Sequence, residues 1–391
     1  MLQGTIFNLP LFAEEHRKLA NDLEAWMRAE LSRPEVHGDV DQSCKEIMRR
    51  LAAGGWLRYA IPSKFGGVHE RFDLRSFCII REGLARVSGL AEFSFAMQGL
   101  GSAPISLYGS DALKTKYLPK VASGGAIAAF AISEAGAGSD VAAMQTAARR
   151  FQGGYSLEGS KTWISNAGLA DFYIVFCRFP ERGKDSFLAA VVDADNPGLR
   201  ITERIETIAP HPLGTICLQD CRISPEAIIG DEGEGLKIAF GTLDVFRATV
   251  GAAALGYSRR AMDEALAHVT QRRAFGKTVS EFQLTQARLA EMSIAIDASA
   301  LLIYRAAWMH DNDAPRFTRE SSMAKLYSTE AAQQVVDGAV QLLGALGVVS
   351  GTPVEQLYRE VRSLRIYEGT SEIQKLIIAN QVLRENTNAQ R

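Results

Sequence analysis

Five stretches of this sequence bring together residue types that could do chemistry. RIYEGTSEIQ at 365–374 sets a carboxylate, Glu368, directly ahead of Gly369, Thr370 and Ser371. A glutamate becomes a useful general base when burial raises its pKa toward working pH. The same residues ahead of a helix read equally well as a cap. AFAISEAGAGSD at 129–140 carries hydroxyls at Ser133 and Ser139 and glycines at 136 and 138. Glycines let a backbone approach a flat or anionic ligand, though an ordinary turn has the same composition. KTWISNAG at 161–168 places an indole, a hydroxyl and an amide side by side, which also suits a buried Trp followed by a polar turn. RRAFGKTVSEFQ at 272–283 and QLLGALG at 341–347 complete the set. In LDVFR at 243–247, Asp244 and Arg247 are three apart and so share a face of a helix.

The elements around these stretches form three blocks. Residues 10 to about 125 are patterned for helices. Leu11, Phe12, His16, Leu19, Leu23 and Trp26 recur at three- and four-residue steps, a second helix is expected near 43–54, IPSKFGG at 61–67 reads as a loop, and helix resumes from Leu74. From about 126 to 232 the runs AIAAFAIS, TWIS, DFYIVFCRF, SFLAAVVDA and TICLQDCRI are short and β-rich, with turn residues between them. From 233 to 391 the chain is Ala-, Leu-, Glu- and Arg-rich, with helices expected at about 236–270, 280–311, 317–345 and 371–385. The expected fold is α+β: a helical domain over 1–125, a β-barrel or sandwich over 126–232 and a C-terminal four-helix bundle over 233–391.

Composition narrows the function classes. The chain has 391 residues, 47% of them hydrophobic and 23% charged, enough for two or three cores without staples. A net charge of -2 argues against nucleic acid or an anionic membrane as the main partner. The five cysteines, Cys44, Cys78, Cys177, Cys217 and Cys221, match no zinc pattern and are expected to be reduced. No metal site is expected. No secretory signal and no uninterrupted apolar run of about 18 residues is visible, so the expectation is a cytoplasmic protein without membrane insertion. The GEG at 233–235 lacks the third glycine of a dinucleotide fingerprint.

Taken in order, the five stretches resemble the acyl-CoA dehydrogenase family over nearly the whole length, from about residue 10 to 385. That resemblance implies FAD as cofactor, an acyl-CoA substrate, electron-transfer flavoprotein as electron acceptor and a homotetramer. It assigns Glu368 as the base that removes the α-proton. It places Phe130, Ile132, Ser133, Ser139, Trp163 and Ser165 along the flavin, with Ser139 also near the pantetheine arm. Arg272, Phe275, Gln283, Gln341 and Gly344 match positions reaching the FAD of a neighbouring subunit. Thr370 and Glu372 match flavin contacts beside the base. Asp244, Arg247 and Gly369 match substrate contacts. Some family members carry the base just before the arginine of the second site, and here that position is Phe246, which cannot take a proton.

Two positions depart from the family. IAPHPLGTICL at 208–218 replaces a run usually richer in Ser, Thr and Arg, and its His211 falls near a CoA contact. This leaves an acyl-carrier-protein substrate, or an oxidase using oxygen directly, as alternatives. Outside enzymes, a nucleic-acid-binding flavoprotein of the same fold is the rival, opposed by the charge balance and the intact Glu368. Glu92 aligns with the far end of the acyl pocket, where a carboxylate would disfavour an acidic tail and must itself be solvated or meet a donor. With Phe93, Phe95 and Met97 beside it, this favours a short or medium acyl group over a long chain or a dicarboxylate.

Overall fold

The computed structural model describes residues 5–31, 39–183 and 186–389. Residues 1–4, part of the stretch read for a secretory signal, lie outside the described residues. The chain forms two compact units that do not follow chain order. One combines residues 1–33, 74–92 and 244–391, and the other combines 34–73 and 93–243. The N-terminal helical block is thus divided between the two.

The first unit is a helix bundle. It contains α1 (Glu14–Glu30), α3 (Leu74–Val87), the start of α4 (Gly89–Tyr108), α6 (Gly235–Gln271) from residue 244, α7 (Gln283–Asp311), α8 (Thr318–Leu343), α9 (Pro353–Leu364) and α10 (Ser371–Ala389). Helix α8 is central and packs against α7, α9 and α10. Small residues allow close approach elsewhere: a Cβ on Gly256 of α6 would lie 2.2 Å from the Glu82 carbonyl oxygen of α3. In α1 the buried stripe is Leu19, Ala20, Leu23 and Met27. Trp26, expected on that stripe, is instead half-buried, because four-residue steps from Leu19 and Leu23 lead to Met27. Leu11 and Phe12 precede the helix, and Phe12 packs edge-on against Tyr304 at 4.7 Å.

Helix α9 has no counterpart in the sequence expectation. It is short, with Thr352 at its N-cap and Pro353 as its first residue, a favourable helix start. Helices α6 and α7 are each long and apolar enough to cross a membrane, a property that the search for one unbroken apolar run did not expose. The qualifying stretch of α6 is 78% buried inside the protein, as expected of a core helix.

The second unit holds α2 (Val40–Ala53), α5 (Asp111–Ala122), most of α4 and an eight-stranded sheet. The strands are β1 (Ala128–Ala131), β2 (Ala147–Phe151), β3 (Gly154–Ser165), β4 (Phe172–Arg178), β5 (Phe187–Asp193), β6 (Leu199–Ile205), β7 (Leu213–Ile223) and β8 (Ile228–Ile229). Their order is β6-β7-β3-β2-β4-β5-β8, with β1 beside β4. β1 and β2 run parallel to β4, and the other pairs are antiparallel. β4 and β5 are apolar runs buried on both faces, whereas β7 alternates along its first half. β2 and β6 were missed because AARRF and LRITERI carry charges on an exposed face.

β3 is an irregular strand of this unit. Its pairing with β7 slips at Leu157/Gly159 and again at Lys161/Ile164. Gly159, at φ 144°, comes so close to Thr146 that a Cβ would lie 2.5 Å from its hydroxyl. The second bulge turns the chain between two buried residues, Lys161 and Ile164, and carries Trp163 in the left-handed region at φ 56°. The Lys161 ammonium donates to Glu134 Oε1 at 2.8 Å and to the Ile132 carbonyl at 3.0 Å. Glu134 also accepts from the backbone N–H groups of Gln145 and Thr146. A buried ion pair therefore ties the 129–140 stretch to β3.

Removing one member of a buried pair leaves the other charged and desolvated. Glu134→Ala is expected to lower stability by about 3–5 kcal/mol, and Glu134→Leu with Lys161→Met to recover much of it. Denaturant unfolding of the three proteins checks this; a Glu134→Ala protein of wild-type stability would contradict it.

Candidate active site

Glu368 sits in the connection between α9 and α10. The connection is closed by the Ser371 N–H donating to the Arg365 carbonyl at 3.1 Å. Glu330 of α8 holds both ends, taking Arg365 at 2.7 Å and the Ser371 hydroxyl. The cap of α10 is Thr370, whose Oγ1 accepts from the Ile373 N–H at 3.3 Å. Glu368 is therefore released from the capping role that its place in the sequence allowed. It takes φ 53°, and Gly369 follows at φ 91°. A glutamate in the left-handed region is an outlier that surrounding structure must hold. Two buried side chains do so: Gln374 Nε2 donates to the Glu368 and Gly369 carbonyls at 3.1 Å each, and Lys325 Nζ donates to the Gly369 carbonyl at 2.8 Å. Gly369 is required twice, by its φ and because a Cβ would meet Gln374 Nε2 at 2.6 Å.

Glu368 as a residue is half-buried, but its Oε2 is enclosed and accepts no hydrogen bond. Burial pushes its pKa above the ordinary glutamate value, opposed by the charges of Arg81, Lys325 and Arg247 and reinforced by Glu92. These cations come from three helices, α3, α8 and α6. Arg81 is engaged on other groups: its Nε donates to Glu92, and its Nη1 donates to Thr249 Oγ1 at 2.6 Å. Tyr257 donates to the other Glu92 oxygen at 3.3 Å. Glu92 thus meets a donor, as its burial required, and presents no bare negative charge. Phe95 is buried and Met97 nearly so, while Phe93 packs against the His211 ring at 4.7 Å.

Arg247 and Asp244 pair with each other one turn apart on α6. Asp244 is held further by Thr318 at 2.8 Å and, through its carbonyl, by Ser321 at 2.6 Å. Arg247 Nε is buried without a hydrogen-bond partner, leaving an unspent donor on a side chain whose charge acts on Glu368. Phe246 is buried and packs edge-on against Phe77 at 5.5 Å, so the alternative base position is part of the core.

The residues assigned to FAD divide between the units. In the sheet unit, Trp163 is 51% exposed on its bulge, Ser133 and Ser165 are half-buried, and Ser139 is exposed. Gly136 and Gly138 have nothing within 4 Å of an added Cβ, so they leave open space rather than relieve crowding in the chain. Phe130 and Ile132 are largely buried, and Phe130 packs against Phe176 at 4.8 Å. In the helix unit, Arg272 and Gln283 flank a two-residue hairpin of β9 (Arg273–Ala274) and β10 (Lys277–Thr278). Phe275 and Gly276 form its tip, both at positive φ. Phe275 is 95% exposed and Arg272 is exposed, with no side-chain hydrogen bond among the described residues. Gln341, Gly344 and Glu372 are exposed and Thr370 is half-buried. Within the sheet unit, an exposed indole held out on a strained turn, free hydroxyls and a glycine cradle suit a flavin; within the helix unit, the unspent Arg272 guanidinium suits a pyrophosphate. Among the described residues no three His, Cys, Asp or Glu side chains group as a metal site, and none of the five cysteines forms a disulfide.

Lys325, Gln374 and Arg81 escaped the sequence reading. Lys325 lies in the small-residue stripe of α8 with Ser321, Ala324, Ser328 and Thr329, and Arg81 lies inside the apolar run FCIIREGLA at 77–85. A charge within a buried stripe was the available signal.

Known proteins show the same pattern across the whole chain. Residues 13–125, 129–221 and 233–383 match the models of the acyl-CoA dehydrogenase N-terminal, middle and C-terminal domains. A probable acyl-CoA dehydrogenase of Mycobacterium leprae is 35% identical over 385 residues, 97% of this chain and 98% of that protein. Butyryl-CoA dehydrogenase from Megasphaera elsdenii superposes with a TM-score of 0.88 at 28% identity, covering 95% of this chain and 99% of that one. An acyl-CoA dehydrogenase from Bacillus anthracis complexed with FAD superposes with a TM-score of 0.90 at 28% identity, covering 97% of this chain and 68% of that one. With helical, β and helical domains that match over nearly its whole length, this chain belongs to the FAD-dependent acyl-CoA dehydrogenase family.

Proposed function

We propose that this protein dehydrogenates a short or medium acyl-CoA thioester to the 2-enoyl-CoA, with Glu368 removing the α-proton. The observation that carries the reading is the enclosed, unpartnered Oε2 of Glu368 on a strained turn. A carboxylate with no hydrogen bond to give up is free to take a proton, and desolvation raises its basicity. The surrounding cations keep enough of it ionised to act. Phe246 leaves no second carboxylate at the alternative position. FAD, when bound, supplies the acceptor for the hydride leaving Cβ. Arg247, with its unspent Nε, and Asp244 would orient the thioester, and Gly369 gives it backbone clearance.

Exposed apolar side chains on the bundle, including Phe275 and Leu284 (88% exposed), support assembly into a homotetramer in which Arg272 and Phe275 reach a neighbour's FAD. Electron-transfer flavoprotein is the acceptor that fits this family.

The test is anaerobic flavin bleaching with butanoyl-, octanoyl- and palmitoyl-CoA. Wild type should bleach with the shorter two, and Glu368→Gln should retain FAD while losing about 10²–10⁴-fold in rate. Bleaching by none of them would sink the reading.

The raised pKa of Glu368 has a consequence that needs no substrate. A carboxyl whose folded pKa lies above its unfolded value stabilises the fold below the unfolded pKa, and that contribution is lost as pH rises through the folded pKa. Glu368→Gln should therefore gain stability over wild type as pH rises from 4 to 8. Thermal melts across this range check the sign; a gap that closes with rising pH would contradict it.

Arg272→Ala should lose FAD and tetramer together on dilution, read by size exclusion with flavin absorbance. A variant that stays a full tetramer with full FAD counts against the cross-subunit role.

A further inference from the structure

We propose that Lys325 is a positioning residue for the base: from the centre of the bundle its ammonium holds the Glu368–Gly369 turn in its left-handed form and supplies one of the helix-borne charges that keep Glu368 ionisable. The proposal rests on the role of Glu368 argued above.

The geometry comes first. Lys325 is fully buried on α8, the helix that packs against both α9 and α10, whose connection carries the base. Its one hydrogen bond to the turn goes to the carbonyl directly after Glu368, at 2.8 Å. Gln374 shares that carbonyl and adds the one before it. The Gly369 carbonyl, pinned by two buried donors, gives the 369–370 peptide little freedom to flip, and the bond from Gln374 to the Glu368 carbonyl holds the 368–369 peptide before it; together they fix the turn from which the Glu368 side chain leaves the backbone. Gln374 cannot do the electrostatic half of the task, since it carries no charge.

Burying a lysine is costly, and a purely structural donor could have been a neutral amide. Burial brings the Lys325 pKa down to about 8, against the pull of Glu368, with Arg247 pushing the same way as burial and Glu330 and Glu372 opposing it. The lysine is therefore charged through neutral pH and approaches neutrality only on the alkaline side. Glu368 in turn faces Arg81 from α3, Arg247 from α6 and Glu92 from α4. Arg81 is committed to Glu92 and Thr249, and Arg247 to Asp244. Lys325 is the cation of the three that donates to the turn bearing Glu368.

The two halves of the role separate with two substitutions. Lys325→Gln keeps a donor for the Gly369 carbonyl and deletes the charge, whereas Lys325→Met deletes both. For the flavin-reduction rate of the FAD-loaded enzyme with butanoyl-CoA, Lys325→Gln should hold the high-pH plateau within several-fold and move the acid limb upward by roughly one pH unit. Lys325→Met should move the limb likewise and also lower the plateau by about 10–100-fold, the scale of a misplaced reacting group. Lys325→Arg, which restores charge and donor, should bring the limb back.

A second measurement uses neither substrate nor flavin chemistry. In thermal melts at pH 7, Glu368→Gln should raise the melting temperature more in a Lys325→Gln background than in the wild type, because the carboxylate it removes has lost its counter-charge. If wild type reduces no flavin but this non-additivity appears, the functional reading fails and the coupling stands. If the effects add and the acid limb stays at the wild-type pH in both variants, Lys325 is only a core residue and the proposal is wrong.

Discussion

A desolvated carboxylate on a left-handed turn is the constraint around which the helix bundle is organised. Left alone, Glu368 at φ 53° would relax toward ordinary backbone, and its buried oxygen would draw in water or a donor. Neither happens because the turn is gripped by Lys325 and Gln374 while Glu330 closes its ends. The strain is local, and the structure that maintains it is spread over α8, α9 and α10.

The charges around the base follow a consistent division of labour. Arg81, Arg247 and Lys325 each oppose the desolvation of Glu368, yet none forms a hydrogen bond to its carboxylate. A direct ion pair would stabilise the ionised form and make the group a weak base. Placing the cations on other partners, Glu92, Asp244 and the Gly369 carbonyl, leaves the field without the bond. The result is a carboxyl with a raised pKa that still ionises.

The sheet unit solves a different problem with the same economy. The 129–140 stretch has open space at its glycines and needs an anchor to keep a defined shape. The buried Glu134–Lys161 pair supplies it, and one step beyond Lys161 the β3 bulge turns Trp163 outward. One lysine thus fixes the loop and the strand that carries the exposed indole. A bulky residue at positive φ is tolerated there because its neighbours on both sides are locked into the core.

The blocks of helix, strand and helix were legible from periodicity alone, since each depends on residues near in sequence. Glu368 was singled out only through the family resemblance, since its own motif reads as a helix cap just as readily. The charge-rich strands β2 and β6, the short helix α9 and the regrouping of residues 1–33 and 74–92 with the C-terminal helices were not legible. Each depends on what a segment packs against, and packing partners far apart in sequence leave no local periodicity. The site divides in the same way. Sequence singled out Glu368 as a candidate, but whether it capped a helix or stood free was settled by Thr370 taking the cap and by Lys325 reaching the adjoining Gly369 carbonyl from 44 positions away along the chain. Glu92 likewise looked like a bare charge until Arg81, on the preceding helix, was brought against it. Chain chemistry determined which groups are present, and tertiary packing decided which of them are paired, which are desolvated and which are left free to react.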